Sequence, residues 1–212
     1  MSNVAKVVVA ALLAALASAV VPIAQAQPPI RIGASASRTG AYAALSENQL
    51  RGYQLCVKHT NDKGGVLGRQ LELVVEDDQS QPAAAIRIYE RLITQERVDL
   101  VLGPYGSPMV EPVANVSEKY RMPMVAATGA ATSIFKGRKF IFMVYSTAGV
   151  YLEGFVELVA RNRLKTIALI GESDSLGPRA VVKGASELAK KRGLQVVLAE
   201  HYPGAPPISL RS

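Results

Sequence analysis

The chain of 212 residues carries one cysteine, two histidines and no tryptophan. A lone Cys56 closes no intramolecular disulfide, even in a compartment that would permit one. Its expected place is a small, buried, apolar position on a helix. Two histidines, His59 and His201, with no carboxylate cluster at ligand spacing, argue against a metal site, and neither a metal nor any other cofactor is expected. Neither a dinucleotide glycine fingerprint nor a P-loop spacing occurs. Long apolar runs are also scarce. The one candidate, Val7 to Val21, is interrupted by Pro22 and Gln25 before it reaches the roughly 20 residues of a membrane span.

What is plentiful is positive charge, +7 in formal terms. The Lys and Arg residues are scattered with little aromatic surface between them, which excludes nucleic acid as the expected partner. Lys190, Lys191 and Arg192 cluster at the end of a predicted helix, where cations complement the macrodipole. At the N-terminus Lys6, the apolar run and the small residues of Ala24-Gln25-Ala26 form a secretory signal, with cleavage expected after Ala26 and a periplasmic mature protein. The remaining 186 or so residues suffice for one domain, or for one and a half of a two-lobed architecture.

Hydrophobic period and turn signals alternate strand with helix. Strands are expected at Ile30 to Ser35, Gln70 to Glu76, Leu100 to Gly103, Met124 to Ala127, Phe140 to Val144, Thr166 to Gly171 and Gln195 to Tyr202. Helices fill Ser46 to Lys63, Pro82 to Gln95, Val110 to Tyr120, Val150 to Arg161 and Pro178 to Arg192. This order predicts an α/β fold with parallel sheets and right-handed crossovers. The pattern restarts around Tyr145 to Gly149, which divides a first lobe over 27–145 from a second over 146–212.

In open parallel sheets a ligand sits beyond the carboxyl ends of the strands, where helix N-termini offer unpaired amides. Three segments of the first lobe reach that edge: Ser37 to Ala43, Gly103 to Ser107, and Thr128 to Thr132. Each mixes small residues with hydroxyls able to donate to a carboxylate. Taken singly, each is more often a turn or a helix cap. Together they favour a small anionic or zwitterionic ligand. Asp77-Asp78, after the second strand, reads as a loop that orients the sheet edge rather than as a metal pair.

Ile30 to Ala36, Gly40 to Ala43, the stretch Asn61 to Arg69, Glu76 to Ser80 and Gly103 to Ser107 resemble, as an ordered set, the leucine/isoleucine/valine-binding protein family. The likeness runs from Ile30 to Tyr202. It implies a type I periplasmic binding protein, with two Rossmann-like lobes that close on a ligand at the hinge. It also implies a monomeric, non-enzymatic, extracytoplasmic component of an ABC importer that delivers an amino acid or related small carboxylate to a membrane permease. Carried over residue by residue, the ligand's charged groups fall to Tyr105 and Ser107 after the third strand. They fall also to Thr128, Ala130 and Thr132 after the fourth. The aromatic residues the family often places near Leu45 and Leu176 are leucines here, so the same side-chain specificity is not expected.

Two other readings differ in class. Gly171-Glu172-Ser173-Asp174-Ser175 has the strand-to-helix context of a hydrolase nucleophile elbow, but serine stands where the motif needs its second glycine. No acid lies in the right order before His201. A ligand-sensing receptor ectodomain reuses the same fold, but needs a membrane span or a partner domain. At the C-terminus the family continues with a Pro-Gly turn and a helix. Here Pro203-Gly204 is followed by Pro206-Pro207, which forbids a regular helix. A frameshift near Gly204 and an incomplete, transport-incompetent second lobe are the expectation.

Overall fold

The computed structural model describes residues 27–203. The expected signal segment and the turn after Pro203 lie outside the described residues.

The first lobe is built on a five-stranded parallel sheet. It consists of β1 (Ile30–Ala36), β2 (Leu71–Asp77), β3 (Leu100–Leu102), β4 (Met124–Ala126) and β5 (Ile141–Met143), in the order β2-β1-β3-β4-β5. Strand β1 is flanked on both sides and reads as a nearly continuous small or apolar run, IRIGASA, buried from Ile32 onward. Doubly covered parallel strands have that composition. The order reverses between β1 and β3, and such a switch point opens a crevice at the carboxyl edge.

Three helices complete the lobe: α1 (Ala43–Asp62), α2 (Pro82–Thr94) and α3 (Ser107–Tyr120). In α2, Ala85, Ile88, Tyr89 and Leu92 are buried at helical spacing, and in α3 Met109, Val110, Val113 and Ala114 are buried. These faces close one core with Val101, Met124 and Ile141 of the sheet. Helix α1 is different, burying only Ser46 and Leu50. Cys56 is accordingly exposed, against the expectation of burial, because it lies on the outward side of a helix that meets the sheet along a narrow stripe.

The second lobe holds α4 (Glu153–Arg161), β6 (Thr166–Glu172), α5 (Leu176–Lys191) and β7 (Gln195–Tyr202), with β6 and β7 paired in parallel. Val156, Val159, Ile167, Leu169, Val182 and Ala185 form its core. That core lies on one face of the ribbon. On the other face Ile170 and Val197 are 66% and 55% exposed.

The observed strands follow the expected ones to within a residue or two. Three helix starts differ by more than that, the first being α1, which begins at Ala43 and not at Ser46. Helix α3 begins at Ser107 and not at Val110, because Gly106 turns the chain at φ +85 and Pro108 fits the first helical turn. Helix α4 begins at Glu153, and a single 3-10 turn at Ala148–Val150 precedes it. Among the described residues no helix is long and apolar enough to cross a membrane.

The lobes touch. Leu176 at the start of α5 packs against the first-lobe core. The Ala148 amide donates to the Ala130 carbonyl at 2.7 Å. Gly184, in the middle of α5, crosses the Gly149 turn so closely that any Cβ there would collide with the Gly149 backbone.

Candidate functional site

The carboxyl edge of the first sheet is assembled by short side-chain ties. Asp78 is wholly buried and accepts the hydroxyls of Ser35 (2.5 Å) and Ser37 (2.6 Å) and the Ser80 amide (3.0 Å). Asp77 accepts the Arg38 and Gln79 amides at 3.0 and 2.9 Å. The acidic pair therefore orients the sheet edge, and the Ser37 hydroxyl is committed to that task. Among the described residues no group of three or more His, Cys, Asp or Glu could hold a metal.

A second network fixes the end of β3. The Gly103 carbonyl accepts from Gln49 Nε2 and from the Tyr53 hydroxyl, both at 2.9 Å. Thr128 Oγ1 donates to Gln49 Oε1 (2.7 Å) and accepts the Gly106 amide (3.0 Å). Thr128 thus braces the turn that starts α3, and its hydroxyl proton is already engaged. Gly129 makes the close approach possible. Its φ is +87, and a Cβ would stand 2.7 Å from a Val110 methyl, so a larger residue would strain the loop.

Ser107 occupies the first position of α3 and is 6% exposed. Its Oγ accepts the Ala131 amide at 3.3 Å, while its hydroxyl proton has no acceptor among the described residues. A Cβ on Gly177, in the first turn of α5, would lie 3.7 Å from this oxygen. Two helix N-termini, one from each lobe, therefore meet at Ser107, and their macrodipoles both favour an anion there.

Beside them lies a cavity of about 420 Å³, lined among others by Ala130, Tyr151, Leu169, Glu172, Gly177 and Tyr202. That is within the usual size range for a small-ligand site. A neighbouring hollow of about 300 Å³ is lined by Ala131, Thr132, Gly149, Leu176 and Lys183 among others. Of the five expected site residues, Ala130 lines the larger cavity, and Ser107 stands next to it against the Ala131 amide and Gly177. Thr132 is exposed at the rim, at the start of a 3-10 turn, Thr132–Ile134. Thr128 stands behind the cleft as a brace.

Tyr105 is not alone. Its ring centroid lies 6.1 Å from that of Tyr42, tilted by 48°. Tyr145 and Tyr151 pair edge to face at 5.9 Å and 87°. Burial raises the pKa of Tyr105, with Tyr145 adding to the effect. Burial also raises that of Tyr42, with Glu172 and Tyr105 contributing. For Tyr151, burial and then the neighbouring Tyr145 push the hydroxyl up to about 12. Sequence reasoning did not single out Tyr145, Tyr151 or Glu172, and it included Tyr42 only within the edge segment Ser37 to Ala43. A signal did exist: Tyr105 and Tyr145 each stand within two positions of a predicted strand end, and Glu172 closes β6.

A doubly wound parallel sheet whose carboxyl edge faces a helix N-terminus of a second lobe, across a cavity of small-ligand size, is the architecture of a type I periplasmic binding fold. The chain belongs to the periplasmic binding protein family, whose profile matches residues 29–207, in the company of Leu/Ile/Val-binding relatives. Leu/Ile/Val-binding protein homolog 7 of Brucella melitensis is 28% identical over 193 residues, covering 85% of this chain and 47% of that protein. A solute binding protein of an ABC transporter from Rhodopseudomonas palustris, solved in complex with 3,4-dihydroxy benzoic acid, superposes with a TM-score of 0.75. The match has 20% identity over 84% of this chain and 48% of the other. The branched-chain amino acid transporter substrate binding protein LivJ from Streptococcus pneumoniae, in complex with isoleucine, gives 0.70 at 24% identity, over 84% and 51%. The chain spans about half the length of these relatives.

Proposed function

We propose that the protein is the extracytoplasmic substrate-binding component of an ABC importer for amino acids or related small carboxylates. One observation carries the reading: the buried Ser107 hydroxyl, whose proton has no acceptor among the described residues, sits where helix N-termini of both lobes converge. A carboxylate placed there accepts the Ser107 proton and the first-turn amides, and the Ala130 loop supports it from the side. The ligands of the solved neighbours, an aromatic acid and an amino acid, share that carboxylate. The role proposed is that of a binder, since the segment that imitates a nucleophile elbow carries Ser175 where that motif needs its second glycine. We place the division between the lobes at residues 145 and 146, just before the 3-10 turn at Ala148–Val150. A membrane permease is the partner that takes up the released ligand, and export after cleavage at Ala26 brings the protein to it.

Calorimetric titration of the purified chain with a panel of amino acids and small aromatic acids tests the reading. Ser107→Ala removes a hydrogen bond to a charged group. It is expected to weaken carboxylate binding by about ten- to a hundredfold, equivalent to about 1.5–3 kcal/mol. Thermal stability should fall little. Affinity unaffected by the substitution would reduce Ser107 to a brace for the Ala131 amide and defeat the assignment.

A further inference from the structure

Two loops of the first lobe frame the candidate site, 103–107 after β3 and 128–132 after β4, and one side chain that belongs to neither holds both. Gln49 is half-buried on α1. Its Nε2 donates to the Tyr53 hydroxyl and to the Gly103 carbonyl, each at 2.9 Å, and its Oε1 accepts the Thr128 hydroxyl at 2.7 Å. Gly103 and Thr128 lie 54 and 79 positions away in sequence, so the topology brings them to it. An amide carries a donating and an accepting edge on one rigid group. With the accepting edge on Thr128, the single proton of that hydroxyl is drawn to Gln49, and the oxygen is left to accept the Gly106 amide at 3.0 Å. The other acceptor within reach of that proton, the Pro104 carbonyl, is farther off at 3.3 Å.

We infer that Gln49 is the positioning residue of the candidate site. It lines neither hollow beside Ser107. Instead it acts through Thr128 and the Gly106 amide, which together set where α3 begins and hence where Ser107 and the first-turn amides point. Gly106, at φ +85, has access to conformations closed to other residues, and the bond at its amide selects this one. A set of ligand-binding groups tolerates displacements of only about 0.5 Å before its hydrogen bonds are lost. The inference rests on the carboxylate reading above, since Ser107 is the group being positioned.

The test is calorimetry on the full chain with leucine and benzoate as probes, beside thermal melts and hydrogen exchange of the Gly106 amide. Gln49→Met keeps the bulk and removes every hydrogen bond of the amide. It is expected to weaken the probe that binds by about tenfold, while its melting midpoint falls no further than that of Thr128→Val. Because both residues act through the Gly106 amide, the double variant should bind within about twofold of the weaker single one. Should the methionine variant fold poorly, Thr128→Ser against Thr128→Val decides: retained affinity in the first and a loss of about tenfold in the second support the relay, and equal affinities overturn it. Additive losses, or unchanged affinity in Gln49→Met while Ser107→Ala keeps its effect, overturn the positioning role and leave the carboxylate site standing. If neither probe binds the unaltered chain, the carboxylate reading falls and exchange decides the rest. Exchange at Gly106 about tenfold faster in Gln49→Met supports the tie, and an unchanged rate overturns it.

Discussion

The two lobes use the same strand-helix-strand grammar and end in different physical states. In the first, five strands carry helices that seal a core in which Tyr89, Leu92, Met109 and Met124 are wholly buried. In the second, among the described residues, two strands are covered on one face, and Ile170 and Val197 are exposed on the other. A sheet face becomes a stable layer only when something packs on it. Among the described residues the first lobe encloses its own sealed core, while the second has one helical layer and touches the first lobe through Leu176 and Gly184.

The sharpest way to break this contrast is to remove matched apolar bulk. Leu92→Ala, in the sealed core, is expected to cost about 2–5 kcal/mol, whereas Ile170→Ser, on the open face, should stay within about 0.5 kcal/mol. Urea denaturation followed by circular dichroism measures both. A large loss for Ile170→Ser would show that its face is covered in solution and would collapse the distinction.

A smaller effect comes from alkali. Burial raises the pKa values of Tyr53 and Tyr89 in the first lobe, that of Tyr89 well above the ordinary value. A phenol whose folded pKa is raised holds its proton after the unfolded chain has lost it. Its contribution is fully present below pH 10 and is lost as the pH climbs from there towards the folded value. The expected slope is about 1.4 kcal/mol per pH unit for each such phenol. Urea midpoints at pH 9, 10 and 11 should fall, and Tyr53→Phe should flatten the fall. An unchanged slope in that variant would show that the phenol is not shielded.

Smaller still is the difference between two threonines of one loop. Thr128→Val breaks the tie between Gln49 and the Gly106 amide and should cost about 1 kcal/mol, while Thr132→Val, at the exposed rim, should leave stability unchanged. Equal losses would mean that both hydroxyls are structural.

Much of the architecture was legible because each β-strand is a short apolar run bounded by turn residues and each helix carries its stripe at regular spacing. Strand β7 was expected over the very residues it occupies, Gln195–Tyr202. The start of α3 was not, since Gly-Ser-Pro reads locally as a turn, and only the positive φ of Gly106 lets the helix begin at Ser107. The exposure of Cys56 escaped because α1 has few apolar positions from which to tell its inner side. At the candidate site, strand ends pointed to the segments Gly103 to Ser107 and Thr128 to Thr132, and the family resemblance singled out Ser107 and Ala130 within them. The roles of Thr128 and Ser37 could not, because their partners Gln49 and Asp78 are distant in sequence. The tyrosine group was hidden for the same reason.

The contact between Gly184 and the Gly149 turn makes α5 a lever. Gly177 lies seven residues towards the N-terminus, about 10 Å along the helix axis at 1.5 Å per residue. A tilt of about 10° about that crossing carries the Gly177 end about 2 Å, enough to make or break a hydrogen bond at Ser107. Because neither glycine has a side chain, the fulcrum is backbone against backbone, and almost none of the stroke is absorbed by rotamer changes at the pivot. Small rotations between the lobes are thereby delivered nearly undiminished to the one buried hydroxyl on which the proposed binding depends.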